Sequence, residues 1–103
     1  MALEDMQKPR IPFVVELCSD KAAFEVKIRR KISFDMAELE RLLRFAKGND
    51  IMVDTPHILI FRNHGAEITL SKNGRMLIKK VRNEKEAMAV ARKVLDIASE
   101  SLL

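Results

Sequence analysis

Ser71-Lys72-Asn73-Gly74-Arg75-Met76-Leu77-Ile78 is the stretch on which the fold turns. Lys72-Asn73-Gly74 has the composition of a tight hairpin loop, and Asn-Gly is among the stronger short-range hairpin signals. Before it, Ala66 to Ser71 alternates, with Ala66, Ile68 and Leu70 against Glu67, Thr69 and Ser71. After it, Arg75 to Val81 is a second strand. Asn83 then caps a helix that has Glu84 and Glu86 in its first turn, where negative charge suits the dipole. Met88, Val90, Ala91, Val94, Leu95, Ile97 and Ala98 form the apolar stripe of that helix.

Working outward, Asn63-His64-Gly65 is a turn and His57 to Arg62 is a strand that is apolar on both parities. Ile58 and Ile60 are assigned to the core, so Leu59 and Phe61 face the other way. Such a strand is buried on both sides or carries an interaction surface. Pro56 marks a break, Ile51 to Val53 is a brief strand and Asn49-Asp50 turns the chain. Met36, Leu39, Leu42, Leu43 and Ala46 follow helical spacing, with Ser33 or Asp35 as the cap and Gly48 as the stop. Ala22 to Ile32 alternates as a half-buried strand, with Phe24, Val26 and Ile28 against Glu25, Lys27 and Arg29. Ser19-Asp20-Lys21 is a turn, and Phe13 to Cys18 completes a hairpin. Residues 1–10 are expected to form a loose arm and 11–103 a single domain. The expected fold is α+β, a curved antiparallel sheet backed by two helices on one face.

The chain has 103 residues, enough for one core without staples. Its net charge is +4, distributed unevenly. Lys27 to Arg82 holds 13 basic and 6 acidic residues, while both flanks are slightly acidic. A basic middle suits a polyanion-facing surface. The single cysteine, Cys18, excludes an internal disulfide and fits a buried thiol in a reducing, cytoplasmic compartment. No apolar run approaches the roughly 20 residues of a membrane span. With no Trp or Tyr and five Phe, base-stacking recognition is poorly supplied.

Catalytic and metal chemistry find little footing. His57 and His64 are the only histidines, and nothing gives them, with Cys18, Asp50 and Asp54, a metal-ligand spacing. There is no nucleophile elbow and no phosphate-binding glycine loop, and Glu38 and Glu40 lie on a helix surface. Neither enzyme activity nor a cofactor or metal is expected. The basic residues carry more. With the helices over the core parity, the open face shows Lys27, Arg29, Leu59, Phe61, Thr69, Ser71, Arg75, Leu77 and Lys79. Cations there would pair with phosphates and apolar atoms would meet sugars. The same mixture also fits a face covered by a protein partner.

From Ala22 to Leu103 the chain resembles one repeat of the TATA-box-binding protein family. Asp35-Met36-Ala37-Glu38-Leu39 with Arg41 and Leu43 is similar to its first helix. Thr55-Pro56-His57-Ile58-Leu59-Ile60 resembles the strand opened by Phe-Pro-Gly, and Gly74-Arg75-Met76-Leu77-Ile78 its Gly-Lys-Met-Val-Val strand. Asn83-Glu84-Lys85-Glu86-Ala87 and Ala91-Arg92-Lys93 look like its last helix. Thr55 and Leu70 stand where the family has wedging phenylalanines, so those wedges are missing, and one repeat is present where the family has two. The resemblance implies a non-catalytic nucleic-acid-binding module, with DNA ahead of RNA. Lys27, Arg29, Arg75 and Lys79 would sit on phosphates, and Leu59, Phe61 and Leu77 would supply apolar contact. The alternative is a protein-interaction or homodimerisation module that ignores nucleic acid.

Overall fold

The computed structural model describes residues 11–17 and 23–103. The expected arm over residues 1–10, the turn at Ser19-Asp20-Lys21 and the buried Cys18 thiol lie outside the described residues. The elements run β1 (Phe13–Leu17), β2 (Ala23–Ile28), α1 (Met36–Phe45), β3 (Asn49–Asp54), β4 (Ile58–Asn63), β5 (Ala66–Ser71), β6 (Met76–Lys79) and α2 (Glu84–Ala98). A short 3-10 turn, Ser99–Ser101, follows. The six strands form one antiparallel sheet in the order β1-β2-β6-β5-β4-β3. α1 packs on β3, α2 packs on β1 and β2, and the helices touch each other. None of the described helices is long and apolar enough to cross a membrane.

Turn chemistry sets the strand register. His64 and Gly65 have φ of 49° and 90°, so a two-residue turn with both centres left-handed joins β4 to β5. That turn makes Asn63 face Ala66, Phe61 face Ile68 and Leu59 face Leu70. Between β5 and β6, Ser71 N–H donates to the Arg75 carbonyl at 2.8 Å and so closes a loop over Lys72-Asn73-Gly74, with Gly74 left-handed at φ +93°. A Cβ at Gly74 would lie 2.8 Å from Ile32 Cγ1, so both backbone sign and space demand glycine.

The helix boundaries follow their caps. Asp35, rather than Ser33, caps α1, its carboxylate accepting from Glu38 N–H at 3.2 Å. Asn83 caps α2 by accepting from Glu86 N–H at 2.9 Å, and the Glu86 carboxylate accepts from Arg82 N–H at 2.7 Å. Lys80, left-handed at φ 64°, ends β6 earlier than the alternation to Val81 predicts. β2 likewise stops at Ile28, not Ile32, where the chain bends at Arg29-Arg30.

One parity of the sheet is dry. Val15, Phe24, Val26, Leu59, Phe61, Ile68, Leu70, Met76 and Ile78 join Met36, Leu39, Leu43, Ala87, Ala91, Val94, Leu95 and Ala98 in a single core cluster. The expectation for β4 is therefore reversed: Leu59 and Phe61 are fully buried, and Ile58 and Ile60 are the outward pair. Met88 also leaves the expected stripe and is exposed, while Ala87 takes a core position. A part-buried polar chain ties α1 to the sheet. Asn63 Nδ2 donates to Asn49 Oδ1 at 2.8 Å, and Asn49 Nδ2 donates to the Leu43 and Ala46 carbonyls at 3.1 and 3.3 Å. These bonds satisfy helix-end carbonyls that would otherwise be orphaned.

Candidate functional site

On the second parity, none of the described side chains of β3 to β6 is buried. The register arranges them in three rows across the strands. The middle row runs Glu25, Leu77, Thr69, Ile60 and Val53 on β2, β6, β5, β4 and β3. The row nearest the His64-Gly65 turn runs Lys79, Glu67, Arg62 and Asp50 on β6, β5, β4 and β3. The row nearest the Lys72-Asn73-Gly74 turn holds Val14 and Lys27, then Arg75 one step beyond the Val26–Met76 pair, then Ser71 and Ile58.

The expected site residues therefore divide. Lys27 and Arg75 come together where β2 ends and β6 begins, while the Arg29 backbone N–H donates to the Pro12 carbonyl on the β1 side at 3.4 Å. Lys27, Arg30 and Arg75 line one groove of about 310 Å³ there, with Glu25, Asn73 and Gly74. Arg29 and Lys31 flank it and are exposed. Lys79 lies at the far end of β6, opposite Glu67. Leu77 is half-buried in the middle row, and Leu59 and Phe61 are on the core side, so neither can touch a ligand on this face.

Carboxylates temper the basic groove. Lys27 Nζ lies 3.3 Å from Glu16 Oε1, and Arg75 Nε lies 3.5 Å from Glu25 Oε2. Both cations are more than half exposed, so each pair is weak, about 0–1 kcal/mol, and open to competition. Lys72 is tethered instead: its Nζ donates to the Phe34 carbonyl at 3.2 Å, bracing the turn that presents Arg75.

Arg30 is the functional candidate missing from the sequence reading. A strand running to Ile32 would put it on the core parity beside Phe24, Val26 and Ile28. The end of β2 at Ile28 frees it to join the groove. The consecutive cations Arg29-Arg30-Lys31 carry the signal, since three charges in a row cannot continue a half-buried strand.

Other features offer less chemistry. A larger, mostly apolar groove of about 560 Å³ lies between the β4–β5 turn and α2, lined by His64, Lys80, Val81, Val90 and Lys93 among others. Arg92, also on its wall, stacks on Phe13 with 4.6 Å between guanidinium carbon and ring centre, and its buried Nη1 has no hydrogen-bond partner among the described residues. Asp54 shares a hydrogen bond with Glu40. That bond pushes the Asp54 carboxyl above its ordinary range, while Arg44 first and Asp54 second hold Glu40 below its own. Among the described residues no three His, Cys, Asp or Glu side chains gather as a metal site. No family model matches this chain, and neither a curated protein nor a solved structure matches it.

Proposed function

We propose that this chain is a non-catalytic nucleic-acid-binding module that grips the sugar-phosphate backbone at the basic groove between the end of β2 and the start of β6. The observation that carries the reading is the convergence of Lys27, Arg30 and Arg75 on one groove, with Arg29 and Lys31 beside it. Arginine forks and lysine ammonium groups are the usual partners of phosphate oxygens. The order strand, helix, four strands, helix from Ala23 onward supports a single TATA-box-binding-protein-like repeat, its two helices backing one face and DNA preferred to RNA. The contact set differs from that expected by sequence. Arg30 enters, Lys79 becomes peripheral, and Ile58 and Ile60 join the expected Leu77 in place of Leu59 and Phe61 as the apolar atoms of the open face.

Binding of this kind weakens steeply with salt, because each neutralised phosphate releases counterions and contributes a log–log slope of about −0.9 on duplex DNA. The test is a fluorescence-anisotropy titration with mixed-sequence duplex DNA and single-stranded RNA at low and physiological salt, beside Lys27→Glu/Arg75→Glu. Micromolar or tighter binding to duplex, lost in the double variant, is expected. Glu25→Gln, which releases Arg75 from its carboxylate, is expected to tighten binding. Absence of binding at low salt, or binding indifferent to salt, would overturn the proposal.

A further inference from the structure

We infer that a second copy of this chain docks on the outward face of β3 to β6, about a twofold axis that runs parallel to the strands between β4 and β5. The argument starts from charge order. Lys79, Glu67, Arg62 and Asp50 stand side by side on β6, β5, β4 and β3, so the signs alternate across the sheet. An alternating row of four is antisymmetric about its midline. Rotation by half a turn about that midline carries β6 over β3 and β5 over β4. Lys79 then meets Asp50 of the partner subunit, and Glu67 meets Arg62 of the partner subunit.

The apolar row obeys the same operation. Leu77 falls over Val53 of the partner subunit and Thr69 over Ile60 of the partner subunit. In the row beside the Lys72-Asn73-Gly74 turn, Ser71 falls over Ile58 of the partner subunit. Val53 is 38% and Met52 43% exposed, large apolar side chains on a sheet edge that a partner would shelter. An isologous contact needs one patch complementary to itself, and sheets that stack face to face keep their strands within about 30° of each other. The charged row borders the patch and the apolar row crosses its middle, as in ordinary interfaces.

Neighbouring axes fail. An axis along β5 sets Lys79 on Arg62, and one along β4 sets Glu67 on Asp50. An axis across the strands, along the middle row, sets Lys79 on Arg75. An axis between β5 and β6 covers Glu25 with Ile60. The axis between β4 and β5 pairs every charge in the row with its opposite. It also leaves β1 and β2 overhanging, so Lys27, Arg29 and Arg30 remain uncovered, whereas Arg75 at the start of β6 and the apolar Ile58, Ile60 and Leu77 fall within the covered face; only the β2 side of the basic groove stays open in the dimer.

The test is sedimentation equilibrium on the full chain from about 1 µM to about 1 mM. A reversible dimer is expected. Glu67→Arg and Arg62→Glu each set like charges across the interface and should weaken self-association at least about tenfold. Mixing the two single variants should restore a dimer, because each then supplies the sign the other lacks, although the like charges within each chain persist. Circular dichroism of each variant checks that it is folded. A wild-type chain that stays monomeric throughout overturns the inference and leaves this face to residues 1–10 or to another protein. Single variants that dimerise like wild type, or a folded mixture that stays monomeric, overturn the register.

Discussion

At the residue scale, Gly74 joins stability to the candidate site. Its φ of +93° disfavours any side chain, and an added Cβ would press on Ile32 at 2.8 Å. Gly74→Ala should cost about 1–3 kcal/mol from backbone strain and crowding, which thermal unfolding would register as a drop of several degrees. The same change should weaken polyanion binding, because Ile32 closes the segment that presents Arg30 and Gly74 precedes Arg75. Asp54 offers a second test. Its carboxyl titrates above the ordinary range because the ionised Glu40 accepts its proton in a hydrogen bond. Glu40→Gln removes that charge, so Asp54 should titrate at lower pH in the variant, followed by carboxyl carbon shifts in NMR. An Asp54 midpoint that does not move would show that the two groups are not in contact.

At the element scale, β4 shows what was legible and what was not. The alternation of Ala66, Ile68 and Leu70 places β5 correctly, because polar residues occupy the other parity. β4 has Ile58, Leu59, Ile60 and Phe61 in succession, and hydrophobicity alone cannot choose a face. The deciding information lies in the turn: two left-handed residues between Asn63 and Ala66 force Phe61 opposite Ile68 and so into the core. Phe61→Ala should therefore cost about 3–5 kcal/mol in chemical denaturation, as for a buried aromatic. Ile60→Ala, on the half-buried face, should cost clearly less. Equal losses would contradict the assigned parity. The groove was legible only in part for a related reason. Lys27, Arg29 and Arg75 follow from strand alternation, but β2 and β6 are neighbours only through a long-range pairing. Nothing local in the sequence announces that Glu16 and Glu25 register beside Lys27 and Arg75, so the face carries less net charge than its cations alone suggest.

At the scale of the whole molecule, the two proposed surfaces share Arg75 and the apolar row of β4 and β6, but each has a cation of its own, which makes them separable by mutation. Lys27 sits on β2 in the groove and outside the self-complementary patch. Lys79 sits on β6 in the alternating row and at the opposite end of its strand from Arg75. Lys27→Glu should therefore weaken binding to a duplex too short to span two chains and reduce the magnitude of its salt slope by about 1, with self-association unchanged. Lys79→Glu should do the reverse, because it sets a carboxylate against Asp50 of the partner subunit while leaving the groove cations in place. Both variants alter exposed positions away from the core, so their stability should stay within about 0.5 kcal/mol of wild type. Anisotropy and sedimentation on the same two variants form a crossed experiment. If Lys79→Glu abolished nucleic-acid binding as completely as Lys27→Glu, the whole sheet face would be the nucleic-acid surface and the division drawn here would be wrong. If neither variant changed either measurement, the charges of this face would be solvated decoration, and both proposals would fall together.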